Sequence, residues 1–273
     1  MYKRMNEQLQ KEGAMALVTG ASSGIGLAYA RELARRGYDL LLVSNEQEQI
    51  GTVAEELAAA FGVKTIPLCM DLARSEAARE LYEYCEREKL QIGILVNNAG
   101  IFFFDDLTEV APERIETMLL LHIRTVTLLC RYFGAAMKRR RAGYILNMSS
   151  LSAWTPAPGI SVYAASKSYI RKFSQMLRYE LHQYGVGVTT VCPGAIATGL
   201  YNLSDYYQRL ALRLGVMMKP ERLARKGLRA MFARRDYILP GAVNRFFVLA
   251  LYLLPVQLIY YIKEHTKLYR YGR

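Results

Sequence analysis

Thr19-Gly20-Ala21-Ser22-Ser23-Gly24-Ile25-Gly26 is a glycine-spaced turn set between two stretches of different character. Before it, Ala14-Met15-Ala16-Leu17-Val18 is an unbroken apolar run of the kind that forms a strand buried on both faces of a parallel sheet. After it, Leu27 to Arg36 has the composition of a helix, closed by Gly37. A strand, a glycine-rich turn and a helix N-terminus together make an anion site: the glycines let backbone approach a pyrophosphate, and the free amides and helix dipole face it. An ordinary glycine-rich loop can join a strand to a helix, but three glycines at these positions favour a dinucleotide. Gly20, Ser22, Ser23, Gly24, Ile25 and Gly26 are therefore candidate cofactor contacts, and the fold expected is α/β, a Rossmann-type doubly wound parallel sheet in three layers.

Downstream, each strand should end on the same ligand side. Tyr38 to Val43 reads as the second strand, and Ser44-Asn45-Glu46 follows where an adenosine ribose would lie. An acid at Ser44 or Asn45 would prefer the free 2′-hydroxyl of NAD; neither position carries one, which tilts the choice toward NADP, while Glu46 can belong to the next helix. Lys64 to Met70 reads as a strand ending at Asp71-Leu72. Asp71 either accepts from an adenine amino group or caps the following turn. Ile92 to Val96 leads into Asn97-Asn98-Ala99-Gly100, where two amides and two small residues suit close contact with a flat ligand or simply a tight turn.

The proton chemistry falls on Ser161-Val162-Tyr163-Ala164-Ala165-Ser166-Lys167. At a spacing of i, i+4 on a helix, Tyr163 and Lys167 project from one face. An ammonium beside a phenol favours the phenolate and suits the tyrosine to general acid/base work. On its own such a pair is more often a solvated contact. Tyr144 to Met148 reads as a strand ending at Ser149-Ser150, and Ser150 either orients a carbonyl or caps its turn.

Totals narrow the class. A chain of 273 residues with 52% hydrophobic and 22% charged residues has enough apolar material for one well-filled core. The net charge of +12 would suit an anionic membrane or phosphorylated ligands. No helix that would read a groove and no aromatic stacking platform stands out, so nucleic acid is not expected. Cys69, Cys85, Cys130 and Cys192 show no CxxC or metal spacing and read as buried thiols of a reducing compartment; His122, His182 and His265 form no zinc signature, and no metal is expected. Met1 to Lys11 lacks an apolar core, so a cytoplasmic location is expected.

Taken together and in this order, the motifs resemble the short-chain dehydrogenase/reductase family over about residues 13–198. TGASSGIG at 19–26 matches its cofactor loop, NNAG at 97–100 its fourth-strand motif, and Ser150 with Tyr163 and Lys167 its Ser and YxxxK arrangement. The resemblance implies that Tyr163 exchanges the substrate proton, Lys167 lowers the tyrosine pKa and binds the nicotinamide ribose, and Ser150 holds the substrate oxygen. Asn98, Ala99 and Gly100 would line the cofactor, and Pro193, Gly194, Ile196 and Thr198 belong to the segment that closes over the nicotinamide. The reaction implied is interconversion of a ketone and a secondary alcohol with NADP or NAD, in the sense of a carbonyl reductase of a bulky lipophilic substrate, by a homo-oligomer. One departure stands out: His122, in Leu121-His122-Ile123, occupies the place of a family Asn that interrupts its helix and holds a water leading to the catalytic lysine. An imidazole can donate and accept, so His122 is a candidate for the proton path or else a satisfied core residue.

Beyond Thr198 the resemblance thins. Residues 199–218 are rich in Tyr, Leu and Met and correspond to the family's substrate lid; Pro220 to Arg235 reads as a basic amphipathic helix and Tyr237 to Gly241 as the last strand, closing a domain of residues 1–241. Residues 242–273 form a helical extension, with an uncharged run from Phe246 to Ile262 broken by Pro255. That run is too short for a span and suits two helices that pack on the fold, seal a dimer or lie peripherally on a membrane.

Overall fold

A computed structural model describes residues 9–10, 13–155, 158–197, 217–252 and 255–265. The strands β1 (Met15–Thr19), β2 (Leu40–Ser44), β3 (Thr65–Cys69), β4 (Ile92–Asn97), β5 (Gly143–Met148) and β6 (Val186–Val191) join a last short strand, Tyr237–Ile238, in a seven-stranded parallel sheet. Its order is β3-β2-β1-β4-β5-β6 followed by Tyr237–Ile238, so the direction of winding reverses between β1 and β4. At that switch point the two connections leave to opposite faces and open a crevice beyond the carboxyl ends of the strands.

The apolar runs look uniform in sequence, yet period-two geometry divides each between two cores. Ala16, Val18, Leu40 and Leu42 enter one core with helices α1 (Gly24–Ala34) and α2 (Gln47–Phe61). Met15, Leu17, Leu41 and Val43 enter the other with α3 (Ala77–Arg87) and, further along the chain, α5 (Val126–Arg140). The edge strand β3 is half-covered, and there Pro67 is tolerated because its missing N–H would face no neighbour. The same edge leaves Cys69 exposed, a correction to the expectation of four buried thiols; Cys85, Cys130 and Cys192 are buried and all four are free.

Helix α4 (Pro112–Leu119) runs into α5 through a π-helical turn, Leu120–Thr125, that contains His122. Helix α6 (Ser161–His182) follows β5 and carries Tyr163 and Lys167. After β6, the two-residue strands β7 (Ala195–Ile196) and β8 (Met217–Met218) pair in parallel as a separate ribbon. Met217–Met218 is therefore extended at the end of the stretch assigned to the substrate lid; residues 198–216, the rest of that expected lid and Thr198 with it, lie outside the described residues. Helix α7 (Pro220–Phe232) stops short of Arg235, where Arg234 turns to a φ of +51°. The sheet's last strand, Tyr237–Ile238, becomes β9. Helices α8 (Ala242–Tyr252) and α9 (Val256–His265) follow, separated around Pro255. Among the described residues no helix is long and apolar enough to cross a membrane.

Candidate active site

The glycine turn sits at the switch point because β1 delivers it there. Gly20 takes a φ of +63°, and a Cβ on Gly26 would lie 1.9 Å from the Gly20 oxygen and 2.6 Å from the Asn98 Nδ2. Any side chain at Gly26 would push α1 off both the turn and the end of β4. Thr19 and Asn98 lace those strands where they diverge: the Thr19 hydroxyl accepts from the amides of Asn98 (2.9 Å) and Ala99 (3.0 Å), and Asn98 Nδ2 donates to the Thr19 carbonyl at 3.0 Å. Ser23 stands at the N-cap of α1 without a side-chain cap bond, and the first turn has no acid. The helix start thus keeps its positive end for an anion, and the turn has the shape to cradle a pyrophosphate.

At the other end of the crevice, the Ser44 hydroxyl donates to the Ser22 hydroxyl at 2.9 Å and accepts from the Glu46 amide at 3.2 Å, tying β2 to the glycine turn. Glu46 is the N-cap of α2 and borders the cavity beside Asn45. Asp71 Oδ1 accepts from the Ala73 amide at 2.9 Å, as a turn cap does, and Asp71 and Leu72 border the cavity.

Tyr163 and Lys167 lie on the first turns of α6, with the lysine Nζ 5.4 Å from the centre of the tyrosine ring. Lys167 is 5% exposed and donates to the Met148 carbonyl at 3.2 Å. Burial disfavours the ammonium and lowers its pKa to about 8, a shift that the nearby Cys192 thiol partly opposes. The Ser149 hydroxyl donates to the Lys167 carbonyl at 2.7 Å and so pins α6 to the end of β5. Next to it, Ser150 Oγ accepts from the Ser152 amide at 3.1 Å and also faces the cavity, so the two readings of this serine are again compatible. Phe102 stands edge-on to Tyr163, ring centres 5.0 Å apart and planes at 90°.

His122 is fully buried within the π turn. Its Nε2 accepts from the Ile101 amide at 3.1 Å, and its Nδ1 lies 2.9 Å from the Ser166 hydroxyl, which itself donates to the Tyr163 carbonyl at 2.7 Å. Burial first, and then the charge of Lys167, holds the imidazole pKa well below its usual value. Of the two readings of His122, these contacts fit the satisfied core residue better than the proton path. One nitrogen ends on a peptide N–H and the other on a hydroxyl whose proton is directed at a peptide carbonyl, and neither peptide group exchanges protons on a catalytic timescale.

A single cavity of about 460 Å³ is lined by all of the expected site residues that are described except Gly26; Thr198 lies outside the described residues. Gly26 lies beneath the turn instead of on its surface. Pro193, Gly194 and Ile196 close one side, the Pro193 carbonyl accepting from the Leu151 amide at 2.8 Å. A Cβ on Gly194 would come within 2.6 Å of the Asn244 side chain, so the first turn of α8 backs this wall. Asn244, Thr19, Ser149 and Ser166 were not singled out in sequence; each acts through partners far along the chain, and no local spacing flags them. Among the described residues no cluster of His, Cys, Asp or Glu could hold a metal ion.

Comparison with known proteins agrees with this geometry. A family model described as short chain dehydrogenase matches residues 14–205. The chain is 36% identical over 199 residues to the very-long-chain 3-oxoacyl-CoA reductase of Anas platyrhynchos, covering 70% of this chain and 62% of the relative. It is 32% identical over 206 residues to the inactive hydroxysteroid dehydrogenase-like protein 1 of Homo sapiens, covering 74% and 61%. The matches thus span about three fifths of the length of these curated relatives. Among solved structures, a short-chain dehydrogenase from Sphingobium yanoikuyae in complex with NADPH superimposes with a TM-score of 0.76 at 29% identity, over 94% of this chain and 100% of that one.

Proposed function

Because the chain belongs to the short-chain dehydrogenase family, we propose that it is an NADP-dependent oxidoreductase that interconverts a bulky lipophilic ketone and its secondary alcohol. The observation that carries this reading is the placement of Tyr163, Lys167 and Ser150 on the wall of the same cavity as the glycine turn. In the direction of reduction, the Tyr163 phenol gives its proton to the carbonyl oxygen. Ser150 donates a hydrogen bond to that oxygen while one of the two lone pairs of its Oγ accepts from the Ser152 amide. The Lys167 ammonium favours the tyrosinate that remains and, with Ser150, forms a charge distribution set before the alkoxide develops. A nicotinamide bound in the crevice supplies the hydride. Gly20, Ser22, Ser23, Gly24 and Ile25 would hold its pyrophosphate, and Asn98, Ala99 and Gly100 its flat groups.

NADP is preferred over NAD in this reading because Ser44 and Asn45 present no carboxylate to a 2′-phosphate, and the NADPH complex of the Sphingobium yanoikuyae relative agrees with it. Glu46 borders the same end and opposes the preference. The lipophilic substrate class is supported by Phe102 beside Tyr163 and by the likeness to a 3-oxoacyl-CoA reductase. Separate titrations should find NADPH bound more tightly than NADH. NADPH should then be consumed with long-chain or polycyclic ketones. Tighter NADH binding would overturn the cofactor assignment, and no consumption across such a panel would overturn the activity.

The second reading is a dinucleotide-binding protein without turnover, favoured by the inactive human relative and by His122 in place of Asn. The intact Ser150, Tyr163 and Lys167 weigh against it.

A homo-oligomer that touches an anionic membrane peripherally, from the cytoplasmic side, completes the proposal. Exposed Tyr169, Met176 and Tyr179 along α6 support the first part. Exposed Val243, Phe246, Leu258, Tyr260 and Tyr261 on α8 and α9, in a chain of net charge +12, support the second. Light scattering should give more than one chain's mass, and co-sedimentation with phosphatidylserine vesicles should drop when residues 243–273 are removed. A monomer, or binding unchanged by the truncation, counts against the respective part.

A further inference from the structure

The contacts of His122 leave only one arrangement of its protons. Ile101 offers an amide, which can only donate, so Nε2 must be the bare, accepting nitrogen. Ser166 has one proton and directs it at the Tyr163 carbonyl, so Nδ1 must carry the ring proton and donate to the serine oxygen. An imidazolium would set a second N–H against the Ile101 amide, donor against donor, in a site with no water-facing surface. The ring also fills the space beneath Gly100, where a Cβ would approach its Nε2 to 2.8 Å. Lys167, Tyr163 (ring centre 5.8 Å away) and Ser166 face it from α6.

We propose that His122 is a positioning residue: a neutral, Nδ1-protonated imidazole that clamps the cofactor-lining loop ending at Ile101 to the backbone of Tyr163 through Ser166. A fixed ring stands where the family resemblance implies an Asn, and joins the loop after β4 to the start of α6. The consequence for turnover rests on the role given to Tyr163 above; the tautomer and the clamp do not.

The full chain labelled with 15N-histidine tests the tautomer. His122, identified by its loss in His122→Asn, should keep the long-range couplings of a neutral Nδ1–H ring from pH 5.5 to 8.5. Titration within that range, or an Nε2–H pattern, would overturn the proposal. Three variants test the clamp with NADPH itself as the probe. His122→Phe keeps a ring but makes neither bond, and should weaken NADPH binding by about tenfold and lower kcat at least as much. In His122→Asn the amide nitrogen can take the place of Nδ1, and in His122→Gln the amide oxygen can take that of Nε2; each should recover part of the loss, with a pH–rate profile of unchanged shape. A limb of the profile lost in both amide variants would instead mean that His122 passes protons, and undiminished NADPH affinity in His122→Phe would remove the clamp. Should the natural chain turn over no ketone, the proposed activity fails while the couplings and NADPH affinities still decide this proposal.

Discussion

Tyr163→Phe is expected to lower ketone turnover at least about a thousandfold, the upper part of the range for a positioned general acid, while costing no more than about tenfold in NADPH affinity, the net worth of one hydrogen bond. The substitution keeps the ring and the backbone in place. Phenylalanine keeps the ring that packs edge-on against Phe102, and the backbone carbonyl that receives the Ser166 hydroxyl is untouched. The clamp through His122 therefore survives, and a loss of rate reports the phenol and not the packing. The measurement is single-turnover NADPH oxidation beside an NADPH titration for both chains. Equal rates would sink the assignment of Tyr163, and binding without turnover in the natural chain would favour the non-catalytic reading.

Lys167→Met is expected to abolish turnover and yet make the protein more stable. Burial lowers the lysine pKa from 10.5 to about 8, so at neutral pH the fold carries a charge that the unfolded chain hydrates better. That shift corresponds to roughly 3 kcal/mol of native-state cost. Losing the bond to the Met148 carbonyl gives back about 1 kcal/mol, leaving about 2 kcal/mol and a rise in Tm of about 5 °C for a chain of this size. The direction with pH follows from the depressed pKa. Between about 8 and 10.5 the unfolded lysine holds its proton and the folded one does not, so the natural chain gains stability relative to the variant as pH rises through that window. Unfolding of the cofactor-free proteins should thus show the variant ahead at pH 7 and the gap closed or slightly reversed at pH 10.5. A variant less stable at pH 7, or a gap independent of pH, would contradict a charged Lys167 held at a desolvation cost. The cost has a functional sense in the proposed mechanism: an ammonium with few waters around it acts on the phenol more strongly than one in bulk solvent.

Much of this was legible in the residues, and the particular cases show why. The strand before Thr19, the turn to Gly26 and the helix behind it were readable because each is a local pattern, as was the i, i+4 spacing of Tyr163 and Lys167. Pro255 divided the apolar tail into two helices for the same reason, since a missing N–H acts where it stands. By contrast, nothing in Leu40-Leu41-Leu42-Val43 distinguishes the side chains that enter one core from those that enter the other. Cys69 looked like its buried counterparts because its exposure depends on β3 having no outer neighbour.

The sequence by itself determined the family and the parallel sheet, and it singled out the glycine turn and the groups proposed to handle the proton, because these depend on residue type at short spacing. Only the tertiary structure decided the state of those groups. Lys167 loses part of its hold on a proton because β5 and α6 bury it, and Thr19 builds the site because folding brings it to Asn98, 79 residues away. His122 is the sharpest instance: its position in the chain invited a proton path, but Ile101 and Ser166, 21 and 44 residues distant, occupy both of its nitrogens. A titratable group's chemistry is set by what surrounds it and not by its neighbours in sequence, and that surrounding exists only once the chain has folded.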